Sequence, residues 1–226
     1  SSTAKSKIYI MSELINKHKL SRDIPEPIAR VIRQKSGFGC IFCGSWIYQY
    51  EHILPEFKDA KYHDPARICL LCSKHHQKVT QSRISKKQVF DQYKNPITLS
   101  RGFANDILEL NRKFGIVIGR IFFPNPQGNI LVVDDKPIIS IKPANEIEPM
   151  KLSAKFYDDK SNLLLEIKDN EQKGFINNWD IEQKGKRTIF RRKRVNVVLQ
   201  LVISSANILK IEKIIIATAK QNVIFR

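Results

Sequence analysis

The sequence predicts an α+β protein in two parts. A helical N-terminal region encloses a hairpin rich in cysteine and histidine, and a mostly antiparallel β-sandwich or barrel-like domain follows it. Three observations carry this reading. Apolar residues recur at helical spacing before residue 115, short β-branched runs dominate after it, and all four cysteines fall between positions 40 and 72, with histidines at 52, 63, 75 and 76 among or beside them. At 226 residues the chain can bury one large core or two modest ones.

The elements follow in order. Ile8 to Lys19 is amphipathic, and Pro25 to Lys35 begins with proline and stops before Gly37-Phe38-Gly39, so residues 1–36 read as N-terminal helices. Residues 37–95 hold the cysteine-rich hairpin, in which Ile68-Cys69-Leu70-Leu71 reads as a short buried strand. Lys86 to Tyr93 and Phe103 to Phe114 carry helical spacing, the second as a linking helix within 96–114. From 115 to 226 the apolar runs at 116–118, 130–133, 138–141, 163–167, 195–202 and 209–216 read as strands. The stretches 124–129 and 134–137 read as turns. No catalytic motif stands out in this β-rich basic domain.

The cysteines have metal-ligand spacing. Cys40-Ile-Phe-Cys43 precedes Cys72-Ser-Lys-His75 by about thirty residues, which suits two knuckles closing one tetrahedral zinc site. Cys69-x-x-Cys72 would instead give a four-cysteine site. The strand reading of Ile68 to Leu71 favours Cys40, Cys43, Cys72 and His75, with Cys69 as the alternative ligand. His76 then points to another side of the helix that follows and is available to a second metal.

Between the knuckles lies Tyr50-Glu51-His52-Ile53-Leu54-Pro55, and the second half reads Arg67-Ile68-Cys69-Leu70-Leu71-Cys72-Ser73-Lys74-His75-His76. Over residues 30 to 85, about a quarter of the chain, this order resembles the HNH endonuclease family, whose zinc-stabilised members carry Asn-Leu-x-x-Leu-Cys-x-x-Cys-His in the second half. The resemblance implies a zinc-braced ββα-metal motif. It implies that His52 is the general base that activates water, and that Glu51 and His76 hold a divalent cation at the scissile phosphate. That ion would be Mg2+ or another such as Mn2+ or Ni2+, because an imidazole donor also admits later transition metals. The chain departs from the family at Arg67, where asparagine is usual. Arginine can donate from its planar fork to backbone carbonyls or to phosphate, but it cannot accept as an amide does.

Composition points to a polyanionic partner. Against 39 Lys plus Arg stand 22 Asp plus Glu, a net charge of +17 and a pI near 9.8. No apolar run reaches membrane-spanning length and no signal peptide is visible, which favours nucleic acid over a membrane. Lys184, Lys186, Arg187, Arg191, Arg192, Lys193 and Arg194 read as a basic hairpin able to track a phosphate backbone. Lys74 and Lys78, with Arg83, Lys86 and Lys87, follow the motif, and Arg67 could also meet phosphate.

The expectation is a metal-dependent endonuclease acting on DNA, with RNA also admitted, of the kind that serves restriction, phage defence or mobile elements. Two alternatives stand beside it. One is a non-catalytic zinc module that binds nucleic acid, and the other is a β domain that senses or binds a protein partner and uses the nuclease as its effector. A homodimer would supply two cuts where a single centre supplies one. Thiolates kept for zinc imply a reducing, cytoplasmic setting.

Overall fold

The structure is a computed structural model that describes residues 15–110, 114–204, 207–217 and 222–225. It is α+β, and its sheets are mostly antiparallel. No helix among the described residues is long and apolar enough to cross a membrane.

Helix α1 (Glu26–Lys35) begins after Pro25, carries Glu26 in its first turn and Arg33 and Lys35 in its last, and buries Ala29, Ile32 and Arg33. Those charges complement the helix dipole. Most of the helix predicted over Ile8 to Lys19 lies outside the described residues, and its described end, Ile15 to Lys19, is a turn closed by Asn16, whose side chain accepts from the backbone N–H groups of His18 and Leu20. Strand β1 (Gln49–His52) pairs antiparallel with β2 (Ile68–Leu71), placing Glu51 opposite Cys69 and His52 opposite Ile68. All four β2 residues are buried. Helix α2 (Ser73–Thr80) follows at once. Helix α3 (Lys86–Lys94) starts from a reciprocal cap between Ser85 and Gln88, and α4 (Ile97–Arg101) completes the helical part.

The linking helix predicted over Phe103 to Phe114 is not formed. Residues 103–107 are strand β3 (Phe103–Ile107), and residues 111–113 lie outside the described set. The spacing of Phe103, Ile107, Leu108 and Phe114 mimics a helix, but Ala104 and Leu108 enter the apolar core while β3 pairs along its length with β10 (Glu171–Phe175). Tertiary pairing outweighs local propensity here.

The six-stranded sheet runs β3, β10, β9 (Leu163–Lys168), β8 (Lys151–Tyr157), β7 (Lys136–Lys142), β6 (Gly128–Val133). The other runs β11 (Asp180–Lys184), β12 (Arg187–Lys193), β13 (Asn196–Ile203), β14 (Ile208–Ala217), β4 (Gly115–Ile118), β5 (Ile121–Pro124), with β15 (Asn222–Phe225) also on β14. Among the described residues, β14–β4 is the parallel strand pair, and an isolated bridge between Ser45 and Asn105 is parallel as well. One core joins both sheets, with Ile139, Leu152, Phe156 and Leu165 from the first and Ile116, Phe190, Leu199 and Ile211 from the second. The two-residue turn Asp134-Asp135 has both φ angles positive (48° and 60°), the twist that a tight hairpin needs.

Two joints tie the helical part to the sheets. Trp46 is buried in the shared core, its ring edge-on to Phe190 at 6.2 Å, and its N–H donates to the Asn105 carbonyl of β3. Gly174 makes room for it, since a Cβ there would lie 2.9 Å from the indole. The fully buried Arg33 donates to both carboxylate oxygens of Asp180 at 2.8 and 2.7 Å, to Glu26 at 2.6 Å and to the Tyr50 hydroxyl at 3.0 Å.

Candidate functional site

The first knuckle is a tight turn. Cys40 N–H donates to the Ser45 carbonyl and Gly44 N–H to the Cys40 carbonyl, with Gly44 at φ 84° pressed against Asn105. The second knuckle is the entry to α2, whose first turn brings the His75 ring back toward Cys72. The Sγ atoms of Cys40, Cys43 and Cys72 and the His75 ring then lie within 4.8 Å of one another. His75 Nδ1 is 3.4 Å from Cys40 Sγ and 3.2 Å from Cys72 Sγ, and Cys43 and Cys72 Sγ are 3.7 Å apart. These are close to the edges of a tetrahedron around an ion bonded at about 2.3 Å to sulfur and about 2.0 Å to nitrogen. The four residues could hold a metal ion.

The thiols agree with this. A hydrogen bond from Cys40 holds the Cys43 thiol down to about 5 against the effect of burial, with Ser45, Cys72 and His75 assisting, whereas Cys40 is pushed up by Cys43 and by burial. Cys69 stands apart, fully buried in β2, and burial raises its thiol. Phe42 stacks on His75 at 5.1 Å and fixes its ring.

About 100° around α2 from His75, a cleft of about 680 Å³ is lined by Glu51, His52, His76 and Lys86, with Arg22, Tyr50, Phe57 and Lys58 around them. Glu51 Oε2 is 3.1 Å from His76 Nε2. That separation suits two adjacent ligands of an octahedral ion with bonds near 2.1 Å. The other oxygen, Oε1, takes a hydrogen bond from the Lys86 ammonium, which also donates to the His52 carbonyl at 2.8 Å. The His52 ring sits between Phe57, at a centroid distance of 5.4 Å, and His63, whose Nδ1 is 3.3 Å from His52 Nε2. Burial, then His63, Lys86 and Arg22, push the His52 ring down to about 4. Its lone pair is therefore present at neutral pH.

Arg67 meets the loop through its backbone. Its carbonyl accepts from Ile53 N–H at 2.8 Å, while its exposed guanidinium lies over the Phe90 ring, outside the cleft. The loop is tied by other groups. Asp64 accepts from Ala66 N–H through its carboxylate and from Arg67 N–H through its carbonyl, and the Tyr93 hydroxyl donates to the Pro65 carbonyl at 2.8 Å.

The basic residues are distributed differently from the sequence expectation. Lys74 and Lys78 fall on the face of α2 opposite His76 and Thr80, given about 100° per residue, and do not line the cleft. The hairpin of β11 and β12 forms, but Arg191 is held by Asp180 and Glu182, Arg192 by Asp158, and Arg187 by Glu212. Lys184 and Lys186 are exposed at one end of β12 and Lys193 and Arg194 at the other, about 20 Å away at the usual strand rise. The seven residues do not form one continuous stripe. The cations that line the cleft are Arg22, Lys58 and Lys86. Only Lys86 was foreshadowed, as part of the basic set after the motif, and no local pattern singles out the other two.

A second convergence of carboxylates, Glu26, Asp180 and Glu182, is already balanced by Arg33 and Arg191. Comparison with protein-family models, curated proteins and solved structures finds no match to this chain.

Proposed function

We propose that this protein is a metal-dependent endonuclease of the HNH type, hydrolysing DNA phosphodiester bonds, in which Cys40, Cys43, Cys72 and His75 hold a structural zinc ion. The observation that carries the reading is that Glu51 and His76 meet at 3.1 Å in a cleft shared with His52, while the neighbouring His75, about 100° around the same helix, belongs to a separate Cys3His cluster. The donor sets differ in chemistry. Thiolates and one imidazole suit zinc, whereas a carboxylate and an imidazole with room for water suit a harder ion.

A divalent cation such as Mg2+ or Mn2+ bound by Glu51 and His76 supplies charge neutralisation at the scissile phosphate and its leaving oxygen. His52, neutral at pH 7, accepts the proton of an attacking water. Lys86 orients the Glu51 carboxylate and places a positive charge beside the phosphate. Phe57 and the end of β1 fix the His52 ring. Arg22, which lies over the Phe57 ring, and Lys58, paired with Glu56, add positive charge to the lining that a phosphate chain would meet.

Lys86 also favours a second reading, since an ammonium on Glu51 neutralises the carboxylate without a metal, as a binding-only zinc module would. Supercoiled plasmid with Mg2+ or Mn2+ separates the two. The nuclease nicks or linearises it, and His52→Ala lowers the rate about 10³-fold with zinc content unchanged. If wild type and variant both only shift the plasmid on a gel, the binding module is correct.

A further inference from the structure

We propose that His63 is the positioning residue that sets the tautomer of His52, so that Nδ1 and not Nε2 takes the proton from water. The inference rests on His52 being the general base, and it concerns how this chain prepares that base.

The contact admits two proton arrangements, and only one of them leaves His52 able to act as a base. His52 Nε2 and His63 Nδ1 are 3.3 Å apart, a contact that holds one proton between two lone pairs. If His63 Nδ1 carried it, the His52 ring would carry its own proton on Nδ1, the only nitrogen left for a water, and could accept nothing. If His52 Nε2 carries it and donates to His63, Nδ1 keeps its lone pair. His52 lines the cleft and His63 does not, so His63 backs the ring on the side away from the substrate.

His63 is built for that place. It is 6% exposed, and the loop carrying it is pinned by the Asp64 turn and by Tyr93. Its Nε2 is buried and makes no direct hydrogen bond, and burial pushes the ring below the usual histidine range, with the Ser21 backbone acting the other way, so the ring is neutral and carries one proton. A proton on Nε2 leaves Nδ1 as the acceptor, the arrangement His52 requires. In the reaction, the water oxygen forms the new P–O bond as its proton moves to His52 Nδ1. The P–O3′ electron pair leaves with the 3′ oxygen, which is protonated from solvent. The resulting imidazolium keeps its Nε2–H bond to His63, as a triad histidine keeps its bond to an orienting partner.

The test uses the full chain, zinc-loaded and 15N-histidine-labelled. Long-range 1H–15N spectra report which nitrogen of His52 is protonated, and steady-state plasmid cleavage in Mn2+ over a range of substrate concentrations gives kcat and KM. Wild type is expected to show His52 with Nε2–H. His63→Leu is expected to lose that signature and 10–100-fold in kcat with little change in KM, on the scale of lost orienting partners. His63→Asn, which keeps an acceptor near the Nδ1 position, recovers most of both. A His52 that carries Nδ1–H in wild type that cuts DNA, or His63→Leu with unchanged tautomer and rate, overturns the role of His63 alone. Wild type that shows Nε2–H but cuts nothing, or His52→Ala that cuts as wild type does, overturns the nuclease reading and this inference with it.

Discussion

Cys69 and Cys72 lie three residues apart and have opposite roles, for a reason of backbone geometry. Cys69 belongs to a strand buried along its whole length, while Cys72 caps the start of α2, where the first helical turn returns His75 to it. Cys72→Ala is expected to abolish zinc binding measured by metal analysis and to lower the melting temperature sharply. Cys69→Ala should keep one zinc per chain. Zinc retained by Cys72→Ala would contradict the ligand assignment. Asp158 shows where one of the predicted phosphate-binding arginines is spent. Burial opposes its charge, yet the Asn162 side chain and backbone, the Lys160 backbone and Arg192 hold its carboxyl below the usual carboxylate range. The unfolded chain binds the proton at higher pH than the folded one. The carboxylate's contribution is therefore complete above about pH 4 and is lost as the pH falls through the lower folded value. Asp158→Asn should lower the urea midpoint at pH 7, and the gap to wild type should narrow below pH 4. A gap that widens on acidification would contradict this.

At the scale of elements, the sequence showed most where one physical signal dominated. The β-branched runs at 116–118, 130–133, 138–141, 163–167, 195–202 and 209–216 became β4, β6, β7, β9, β13 and β14, because apolar segments of that length bury on a sheet. Strand β8 carries Leu152, Ala154 and Phe156 inward at period two, a pattern that was available but diluted by lysine and serine between them. Strand β10, Glu171-Gln172-Lys173-Gly174-Phe175, has no such pattern and is held by its neighbours β3 and β9. The Cys40, Cys43, Cys72 and His75 cluster was legible because metal-ligand spacing restricts residue type and position. Arg22 and the contact of His63 with His52 leave no local pattern, since a distant turn and a loop bring them there, and Lys86 arrives from the first turn of α3. The Arg33–Asp180 pair spans 147 positions and leaves no local trace. Asp180→Ala leaves a guanidinium with 1% exposure without its principal partner, and is expected to cost about 3 kcal/mol in chemical denaturation. A cost under about 0.5 kcal/mol would show that α1 does not depend on β11.

Over the whole molecule, the cysteine-rich unit and the sheets share structure. Trp46 and Phe38 sit in the same core as Phe156 and Phe190, and β3 lies before the boundary at 115 that composition suggests. A fragment ending at residue 114 would leave β3 unpaired and Trp46 in water. It is expected to be insoluble or to lack near-UV ellipticity, and a soluble, zinc-loaded and cooperatively folded fragment would contradict the shared core. The net charge of +17 is thus carried by a single joined body, with cations at the cleft mouth and at both ends of β12.

The account depends on two donor sets served by the adjacent residues His75 and His76 of one helix, about 100° apart around its axis and separable in function. The most direct measurement is the rate at which Glu51→Ala and His76→Ala cleave a labelled DNA duplex in Mn2+, with zinc per chain determined on the same samples. Both variants should lose at least about 10²-fold in rate and retain one zinc. Cleavage at the wild-type rate, or zinc lost together with activity, would contradict the division of roles.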